Sequence, residues 1–314
     1  MEMENFYQTW LGQSDRSEKR IHDAPRVVKG NDLHWVQTTQ DAKVALMIAP
    51  ETGFPTAGSV LMKAEIPVGW HTGAHSHGEE AIYILEGEGF LLLEDRRYNF
   101  AQGTVLHIPY RSRHQLFNTG DSPVVYLSGL AWPLEASINM GSLKQIETAG
   151  ANDGHRIAQM PAEESQCWPE DGRRISLHTD QYFKSPHSRH GETYYLMKET
   201  GGKDTAGFKS MAVSITSIFV DHPHSKSHSH SHLEAYLYGL EGNGYAEIDG
   251  KQYTWEQGDA VHVPPGMLHH QHFNPSDRVT KELRFFFGIR GWFEQQWKGY
   301  DTIHKELKAS PLHT

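Results

Sequence analysis

One pattern of histidines, glycines and prolines occurs twice in this chain, and the second copy begins about 155 positions after the first. In each copy a His-x-His pair and a glutamate precede a Leu-Glu-Gly turn, and a Gly…Pro block with a further histidine follows. The copies run from His75 to Asn118 and from His228 to Asn274. Three imidazoles and a carboxylate form a donor set for a first-row transition metal. The duplication therefore predicts two domains of one fold, each with a metal site.

The spacing inside the two copies supports a true repeat. Gly87 and Gly103 lie 16 positions apart, and so do Gly242 and Gly258. Incidental clustering of the 22 histidines would not produce equal glycine spacing. A chain of 314 residues is also too long for one ordinary core and suits two domains.

Apolar and polar residues alternate with a period of two around each copy, for example over residues 60–66 and 213–219. This period is typical of β-strands, so we predict an all-β chain built of two β-barrels in tandem. The ends differ: residues 3–20 predict an amphipathic helix with Phe6, Trp10 and Leu11 on its apolar side, and residues 292–308 predict a second helix. The predicted boundaries are an N-terminal arm 1–31, a first barrel 32–134, a connecting segment 135–204, a second barrel 205–291 and a C-terminal helix 292–314.

The His-x-His pairs explain why strands suit a metal site. Side chains alternate along a strand, so both imidazoles of such a pair point to the same face. A histidine from a distant strand completes the site only if the sheet curls back on itself. Such donors suit Fe(II), Mn(II), Ni(II) or Cu(II), and Zn(II) less distinctively, with up to two metals per chain. Binding requires neutral imidazoles, so occupancy should fall below roughly pH 6.

Both copies resemble the two cupin motifs, Gly-x5-His-x-His-x3,4-Glu-x6-Gly and Gly-x5-Pro-x-Gly-x2-His-x3-Asn. The resemblance implies two double-stranded β-helix (jelly-roll) barrels. In the first copy it implies the metal ligands His75, His77, Glu80 and His114. Only two residues separate His77 from Glu80, which leaves Glu79 as the alternative carboxylate.

In the second copy the resemblance implies the metal ligands His228, His230 and Glu234. The third imidazole is either His269 or His270, depending on which end of the motif is counted. We favour His270, because the run from His270 to Asn274 parallels the run from His114 to Asn118.

The chain also resembles bicupin dioxygenases of the gentisate type, which open hydroxylated aromatic acids with Fe(II) and O₂. That resemblance implies that His75, His77 and His114 hold iron and that the substrate is a carboxylic acid. Arg111 or Arg113 would orient the substrate carboxylate, and His71 could enter the pocket or lie on a turn surface. Because both sites look intact, Mn-dependent oxalate-type decarboxylases and flavonol-cleaving bicupins are alternatives. A non-catalytic cupin that binds a small ligand is the alternative from another class. His107 and His262 recur two residues before the prolines, which suggests a structural role common to both barrels.

Charge and hydropathy exclude other classes of function. The formal net charge is −10, from 39 acidic and 29 basic side chains, which argues against nucleic-acid binding. No run approaches the roughly 18 apolar residues of a membrane span. The acidic start of the chain has no apolar signal segment, so we expect a cytoplasmic protein. Exposed sheet edges are often covered by a partner's strand, and we predict a homo-oligomer in which the N-terminal arm is exchanged.

Overall fold

The computed structural model describes residues 5–161, 165–184, 191–197, 206–210, 212–227 and 229–287. This part of the chain contains 25 β-strands, three α-helices and three short 3₁₀ turns. The α-helices are α1 (Phe6–Asp23), α2 (Trp132–Ser137) and α3 (Gly154–Ala158). The strands of the first half are β1 (Val27–Val28), β2 (Lys43–Ile48), β3 (Val60–Ile66), β4 (Trp70–His71), β5 (His75–Ser76), β6 (Glu80–Glu86), β7 (Glu88–Leu93), β8 (Arg96–Ala101), β9 (Val105–Ile108), β10 (His114–Asn118), β11 (Val124–Leu130), β12 (Lys144–Gln145), β13 (Gly150–Ala151) and β14 (Ser176–Leu177).

The strands of the second half are β15 (Phe183–Lys184), β16 (Gly191–Tyr195), β17 (Val213–Asp221), β18 (Ser225–Lys226), β19 (His230–Ser231), β20 (Ala235–Glu241), β21 (Asn243–Ile248), β22 (Lys251–Glu256), β23 (Ala260–Val263), β24 (His269–Asn274) and β25 (Thr280–Phe287). The 3₁₀ turns are Gly30–Asp32, Pro50–Thr52 and Thr179–Gln181.

Two antiparallel sheets form each domain. In the first domain, the sheet β14-β9-β6-β11-β3-β2 packs against the sheet β12-β5-β10-β4-β13, to which β7 and β8 attach through β10. In the second domain, the sheet β1-β23-β20-β25-β17-β16-β15 packs against β18-β24-β21-β22, with β19 on β24. The predicted all-β pair of jelly rolls is thereby confirmed. Each domain consists of two facing sheets, not a single closed hydrogen-bonded barrel, because strand pairing stops at the sheet edges.

The central sheet of the first domain is buried on both faces. On β6, Ile82 and Ile84 point into the domain interior, whereas Ala81 and Tyr83 belong to a second apolar cluster. That cluster also contains Ile215, Tyr236 and other residues of the second domain. The domains therefore share a core at their interface, which is why β6 reads as a continuous buried run and not as a strict alternation.

The N-terminal arm covers an edge of the second domain within the same chain. Strand β1 pairs with β23, with Val27 opposite Val261. In the same way, strand β14 of the connecting segment pairs with β9 of the first domain. The homo-oligomer stays a prediction, but these pairings show that the arm already has a strand partner in its own chain.

The predicted N-terminal helix is present as α1, begins at Phe6 and ends at Asp23. Its apolar residues Phe6, Trp10 and Leu11 are exposed in this chain. The predicted helix over residues 292–308 lies outside the described residues. Among the described helices, none is both long and apolar enough to cross a bilayer.

Candidate metal centres

Three histidines of the first domain converge inside the jelly roll. His75 on β5 lies directly opposite His114 on β10, and His77 follows two residues after His75 on the same side. Their ring centroids lie 4.1 to 5.0 Å apart, and each residue is at most 3% exposed. One ring nitrogen of each lies within 4.8 Å of those of the other two. The period-two geometry of the His-x-His pair thus produces the cluster expected from the sequence.

Backbone carbonyls fix which nitrogen of each ring faces the centre. The Nδ1 atoms of His75, His77 and His114 lie 2.8, 2.9 and 2.9 Å from the carbonyl oxygens of Gly73, Gly78 and Ser112. A carbonyl only accepts, so each Nδ1 carries the proton and donates, leaving the Nε2 lone pair free to bind a cation. None of the three Nε2 atoms makes a well-formed hydrogen bond within the described part of the chain. Buried lone pairs without a partner are what a metal site leaves when only protein atoms are considered.

A carboxylate joins this cluster from β6. Glu80 Oε2 lies 3.3 Å from His77 Nε2 and 3.4 Å from His114 Nε2. Its other oxygen accepts a hydrogen bond from the Ser128 hydroxyl on β11. The alternative, Glu79, points to the opposite face of β6, where it accepts from His107. Of the two carboxylates that the sequence left open, Glu80 therefore lies with the histidines.

Burial and the contacts within the cluster together set the pKa values of these groups. Burial alone would raise the pKa of Glu80, but the close imidazoles of His114 and His77 hold it well below its usual value. Burial, together with the neighbouring His114 and His77, lowers the pKa of His75 to about 2. Burial opposes a charge on His77 as well, yet the Glu80 carboxylate raises the pKa of His77. Three imidazoles and an ionised carboxylate fit a divalent first-row cation.

The second domain brings four histidines together: His230 on β19, His232 just beyond it, and His270 and His272 on β24. His230 lies opposite His270 in the strand register, as His75 lies opposite His114. Ring centroids of His230 and His232 lie 4.2 and 4.4 Å from that of His270. One ring nitrogen each of His230, His270 and His272 lies within 4.8 Å of the others. His228, the first ligand expected from the sequence, lies outside the described residues.

The two alternatives for the last imidazole lie on opposite faces of β24. His270 is buried in the cluster, whereas His269 is exposed. His272 was not expected from the sequence, although His270-x-His272 is itself a His-x-His pair on a strand. The period-two rule applied to the second block would have found it.

Glu234 does not lie with the second cluster. Strand β6 begins at Glu80 opposite Ile108, and the matching strand β20 begins at Ala235 opposite Val263. Ala235 thus occupies the place of Glu80, and Glu234 occupies the place of Glu79. The structural counterpart of His75-Ser-His77 is His230-Ser-His232, two residues later than the pair chosen from the motif. The expected carboxylate, Glu234, is displaced by only one residue from the place of Glu80, so it points to the opposite face of the sheet.

Glu79 and Glu234 instead link the two domains. Glu234 accepts a hydrogen bond of 2.8 Å from His262 Nε2 and one of 3.0 Å from the Ala57 amide of the first domain. Glu79 accepts from His107 Nε2 at 3.2 Å and from the Ala212 amide of the second domain at 2.5 Å. The two bridges are reciprocal. His107 and His262 therefore hold carboxylates at the domain interface, in agreement with a structural role common to both copies.

The remaining predicted residues lie around the first cluster. Arg111 is exposed, its amide donates to the carbonyl of His77 at 2.6 Å, and its guanidinium lies 5.4 Å from the Tyr110 ring centroid. Arg113 is exposed, and its amide donates to Glu94.

His71 packs on the outer face of the same sheet. Its ring centroid lies 5.3 Å from that of Phe117, and its Nδ1 lies 2.9 Å from Gln115 Nε2. Gln115 and Phe117 alternate with His114 along β10, so they point away from the metal cluster. The structure places His71 on the far side of this sheet from the three histidines.

Helix α2 closes over the first cluster. The Glu135 carboxylate lies so close to Gly78 that a Cβ there would collide with it. Burial raises the pKa of Glu135. A cavity of about 780 Å³ borders this helix. Its lining is apolar (Pro109, Leu134, Ile138 and Met140), acidic (Glu79 and Glu135) and basic (Arg173 and Lys209).

Comparisons with known proteins agree with this architecture. The family model described as "Cupin domain" matches residues 62–129 and 217–286. An uncharacterized protein of Methanocaldococcus jannaschii is 36% identical over 69 residues, which is 21% of this chain and 55% of that protein. The chain thus matches about half the length of this curated relative.

Two solved structures share the tandem arrangement. The salicylate 1,2-dioxygenase of Pseudoaminobacter salicylatoxidans with gentisate adducts superposes with a TM-score of 0.62 at 12% identity, covering 92% of this chain and 91% of that one. The oxalate decarboxylase of Lactobacillus farciminis in complex with formate superposes with a TM-score of 0.61 at 13% identity, covering 84% and 86%. At such low identity these likenesses show the fold alone.

Proposed function

We propose, from the premise that the chain carries two cupin domains in tandem, that it is a metal-dependent oxidoreductase. The specific proposal is an Fe(II) dioxygenase that cleaves a hydroxylated aromatic carboxylic acid, or a related hydroxy or diketo acid, with O₂. The observation that carries the proposal is the buried first cluster, in which His75, His77, His114 and Glu80 present their donor atoms to one point. Similarity to dioxygenase and decarboxylase structures is compatible with it.

The donor set suits the chemistry proposed. Iron(II) would act as a Lewis acid and a template for the acid and for O₂. The chain's own groups prepare the site: three carbonyls fix the imidazole tautomers, and the Ser128 hydroxyl holds Glu80. Such outer partners keep ligands oriented and tune their basicity. Burial excludes bulk water and strengthens every electrostatic interaction inside.

A carboxylic acid substrate also needs a cation. We assign this role to Arg111, because its amide is bonded to the carbonyl of a ligand, His77, and its exposed guanidinium can move. Arg113 is the second candidate. The cavity beside α2 has largely apolar walls that suit an aromatic ring, and because its cations Arg173 and Lys209 pair with Asp171, Arg111 keeps the role of carboxylate partner.

The test is oxygen uptake by Fe(II)-loaded, untagged protein with gentisate, salicylate and hydroxynaphthoate analogues. Turnover should disappear in a His75→Ala/His77→Ala variant that keeps its circular dichroism spectrum. An exposed histidine, His34, provides the matched control, and His34→Ala should leave turnover unchanged. No uptake across the panel would count against the dioxygenase. Turnover unaffected by the double substitution would move the chemistry to the second domain.

One observation favours a second candidate, a Mn-dependent decarboxylase of the oxalate type. Glu80 adds a hard oxygen ligand to the first cluster, and oxygen ligands suit Mn(II). Elemental analysis of protein purified anaerobically without chelating resin separates the two, together with the measured product. Iron with O₂ consumption supports the dioxygenase, and manganese with CO₂ release without net O₂ consumption supports the decarboxylase.

Flavonol cleavage and non-catalytic binding of a small ligand are the remaining alternatives. Uptake of O₂ with a flavonol, but not with the acids, would support the first. Ligand binding without turnover by the metal-loaded protein would support the second.

We also expect the chain to form a homo-oligomer and to be located in the cytoplasm. Light scattering on a size-exclusion column tests the assembly, and a single species of 35.6 kDa would refute it.

A further inference from the structure

The interiors of the two domains differ at matched positions. His270 of β24 corresponds to His114 of β10, so His272 corresponds to Leu116, which packs in the apolar interior of the first domain. Both β11 and β25 pair with the strand that follows the His-x-His turn, and this register places Glu282 where the first domain has Tyr126. The second interior therefore holds an imidazole and a carboxylate where the first holds an apolar side chain and a phenol.

His272 is buried without a conventional partner. Its side chain is 1% exposed, and within the described residues neither ring nitrogen makes a hydrogen bond. Its Nδ1 lies 3.6 Å from Glu282 Oε2, and its ring centroid lies 5.4 Å from that of His270. A buried polar atom without a hydrogen-bond partner destabilises a fold, so such an atom calls for a ligand.

The arrangement has the form of a supported metal ligand. Nδ1 of His272 faces a carboxylate, and one of its ring nitrogens clusters with nitrogens of His230 and His270. A ligating histidine typically directs its other nitrogen to a carboxylate or a carbonyl, which fixes the ring. His230 and His270 come from the paired strands β19 and β24, as His75 and His114 come from β5 and β10.

We propose that the second domain binds a metal ion with imidazoles alone, through His230, His270 and His272, and that Glu282 is the positioning residue for His272. His232 packs against the His270 ring as a fourth imidazole. Ala235, in the place of Glu80, supplies no carboxylate. This inference concerns binding and does not depend on the reaction proposed above.

The two sites then differ in charge and in metal preference. Glu80 would bring a negative charge onto a divalent ion in the first domain, whereas the three imidazole ligands of the second domain bring none of their own. Imidazole suits Zn(II), Cu(II), Ni(II) and Fe, whereas Mn(II) prefers oxygen ligands. The metal-free chain should therefore bind two Ni(II) or Zn(II) ions but only one Mn(II) ion tightly.

Titration calorimetry and equilibrium dialysis of the metal-free, untagged chain test the proposal. His272→Leu installs the residue that the first domain has, and it should weaken Ni(II) binding at one of two sites by about tenfold or more. Glu282→Gln should weaken that same site by about 10–100-fold. His269→Ala provides the control on the same strand, because His269 is exposed, and it should leave both sites unchanged.

A variant with His75→Ala and His77→Ala isolates the second site. Bound Cu(II) there should show coupling to at least three nitrogens in its electron paramagnetic resonance spectrum, and His272→Leu in this background should remove one of them. If the variants with His75→Ala and His77→Ala fail to fold, the numbers of Mn(II) and Ni(II) ions bound by the unaltered chain still test the proposal. Two equal Mn(II) sites, or unchanged Ni(II) affinity after His272→Leu, would overturn the proposal. These experiments measure metal binding and not oxygen uptake, so a failure of the dioxygenase proposal can be told apart from a failure of this one.

Discussion

His262→Ala should destabilise the protein strongly, because His262 holds the buried carboxylate that bridges the domains. The His262–Glu234 pair is 2.8 Å long, and the two side chains are 0% and 3% exposed. Burial lowers the pKa of His262 even though Glu234 opposes this, so the neutral ring donates from Nε2. The same carboxylate also accepts the Ala57 amide at 3.0 Å. Removing the imidazole leaves Glu234 with less than its full set of donors.

The magnitude follows from the interactions that the His262 ring makes. A hydrogen bond to a carboxylate contributes about 1.5–3 kcal/mol. The His262 ring also meets Phe54 and Tyr236 edge-on at 5.5 and 5.2 Å, and such ring pairs contribute about 0.5–1.5 kcal/mol each. We therefore expect the free energy of unfolding to fall by about 3–5 kcal/mol, from the lost hydrogen bond and the two lost ring contacts together.

The measurement is urea unfolding followed by circular dichroism. With a slope of about 3 kcal/mol/M for a chain of this size, the midpoint should fall by about 1–1.7 M. The control is His224→Ala, because His224 forms a pair of the same kind with Asp277 at 2.7 Å but is 64% exposed. Its midpoint should move by less than about 0.2 M, since exposed pairs contribute little. Equal effects of the two substitutions would refute the view that burial at the interface makes this pair important.

Three further predictions concern the first domain. In the metal-free protein the pKa of His77 is raised by Glu80, so Glu80→Gln should lower the midpoint of the His77 NMR titration. The stabilisation that the His77–Glu80 pair gives the fold is complete below the pKa of about 6.5 that His77 has in the unfolded chain, and it is lost as pH rises through the pKa of His77 in the folded chain. A His77 titration midpoint below about 6.5 in the wild-type protein would contradict this. Burial raises the pKa of Asp41 to about 7, against a hydrogen bond from a tyrosine that opposes the rise. The titration of Asp41 therefore makes the fold less stable as pH rises from about 4 to 7. In Asp41→Asn the urea midpoint should depend less on pH over this range, and an unchanged pH dependence would refute the prediction. Gly78→Ala should displace the buried Glu135 carboxylate and destabilise the fold by about 1–3 kcal/mol, whereas Gly150→Ala, which meets nothing within 4 Å, should be neutral in the same denaturation assay.

Much of the metal chemistry was readable from local sequence. The period-two rule places His75 and His77 on one face wherever that strand lies, and the matched runs ending in Asn118 and Asn274 favoured His270 over His269. The duplication itself required two copies of one fold. These conclusions need only alternation along a strand and spacing along the chain, which do not depend on how strands pair.

The second domain shows where this reasoning ends. Its sequence offers two overlapping His-x-His pairs, and only the pairing of His230 with His270 decides which one matches the first domain. A shift of two residues keeps the imidazoles on the same face, so the local pattern cannot detect it. At the carboxylate the displacement is one residue, so the methyl group of Ala235, and not the carboxylate of Glu234, stands at the site.

The duplicated motif by itself predicted two copies of one β fold with a histidine cluster in each, and its resemblance to the cupin motifs implied that the copies are jelly rolls. Tertiary structure decided which carboxylate joins the first cluster, because adjacent residues Glu79 and Glu80 differ only in the face of β6 to which they point. It also decided that Glu234 bridges the domains and that β1 covers β23. Contacts between residues about 180 to 230 positions apart depend on the packing of whole sheets, and no local spacing encodes them.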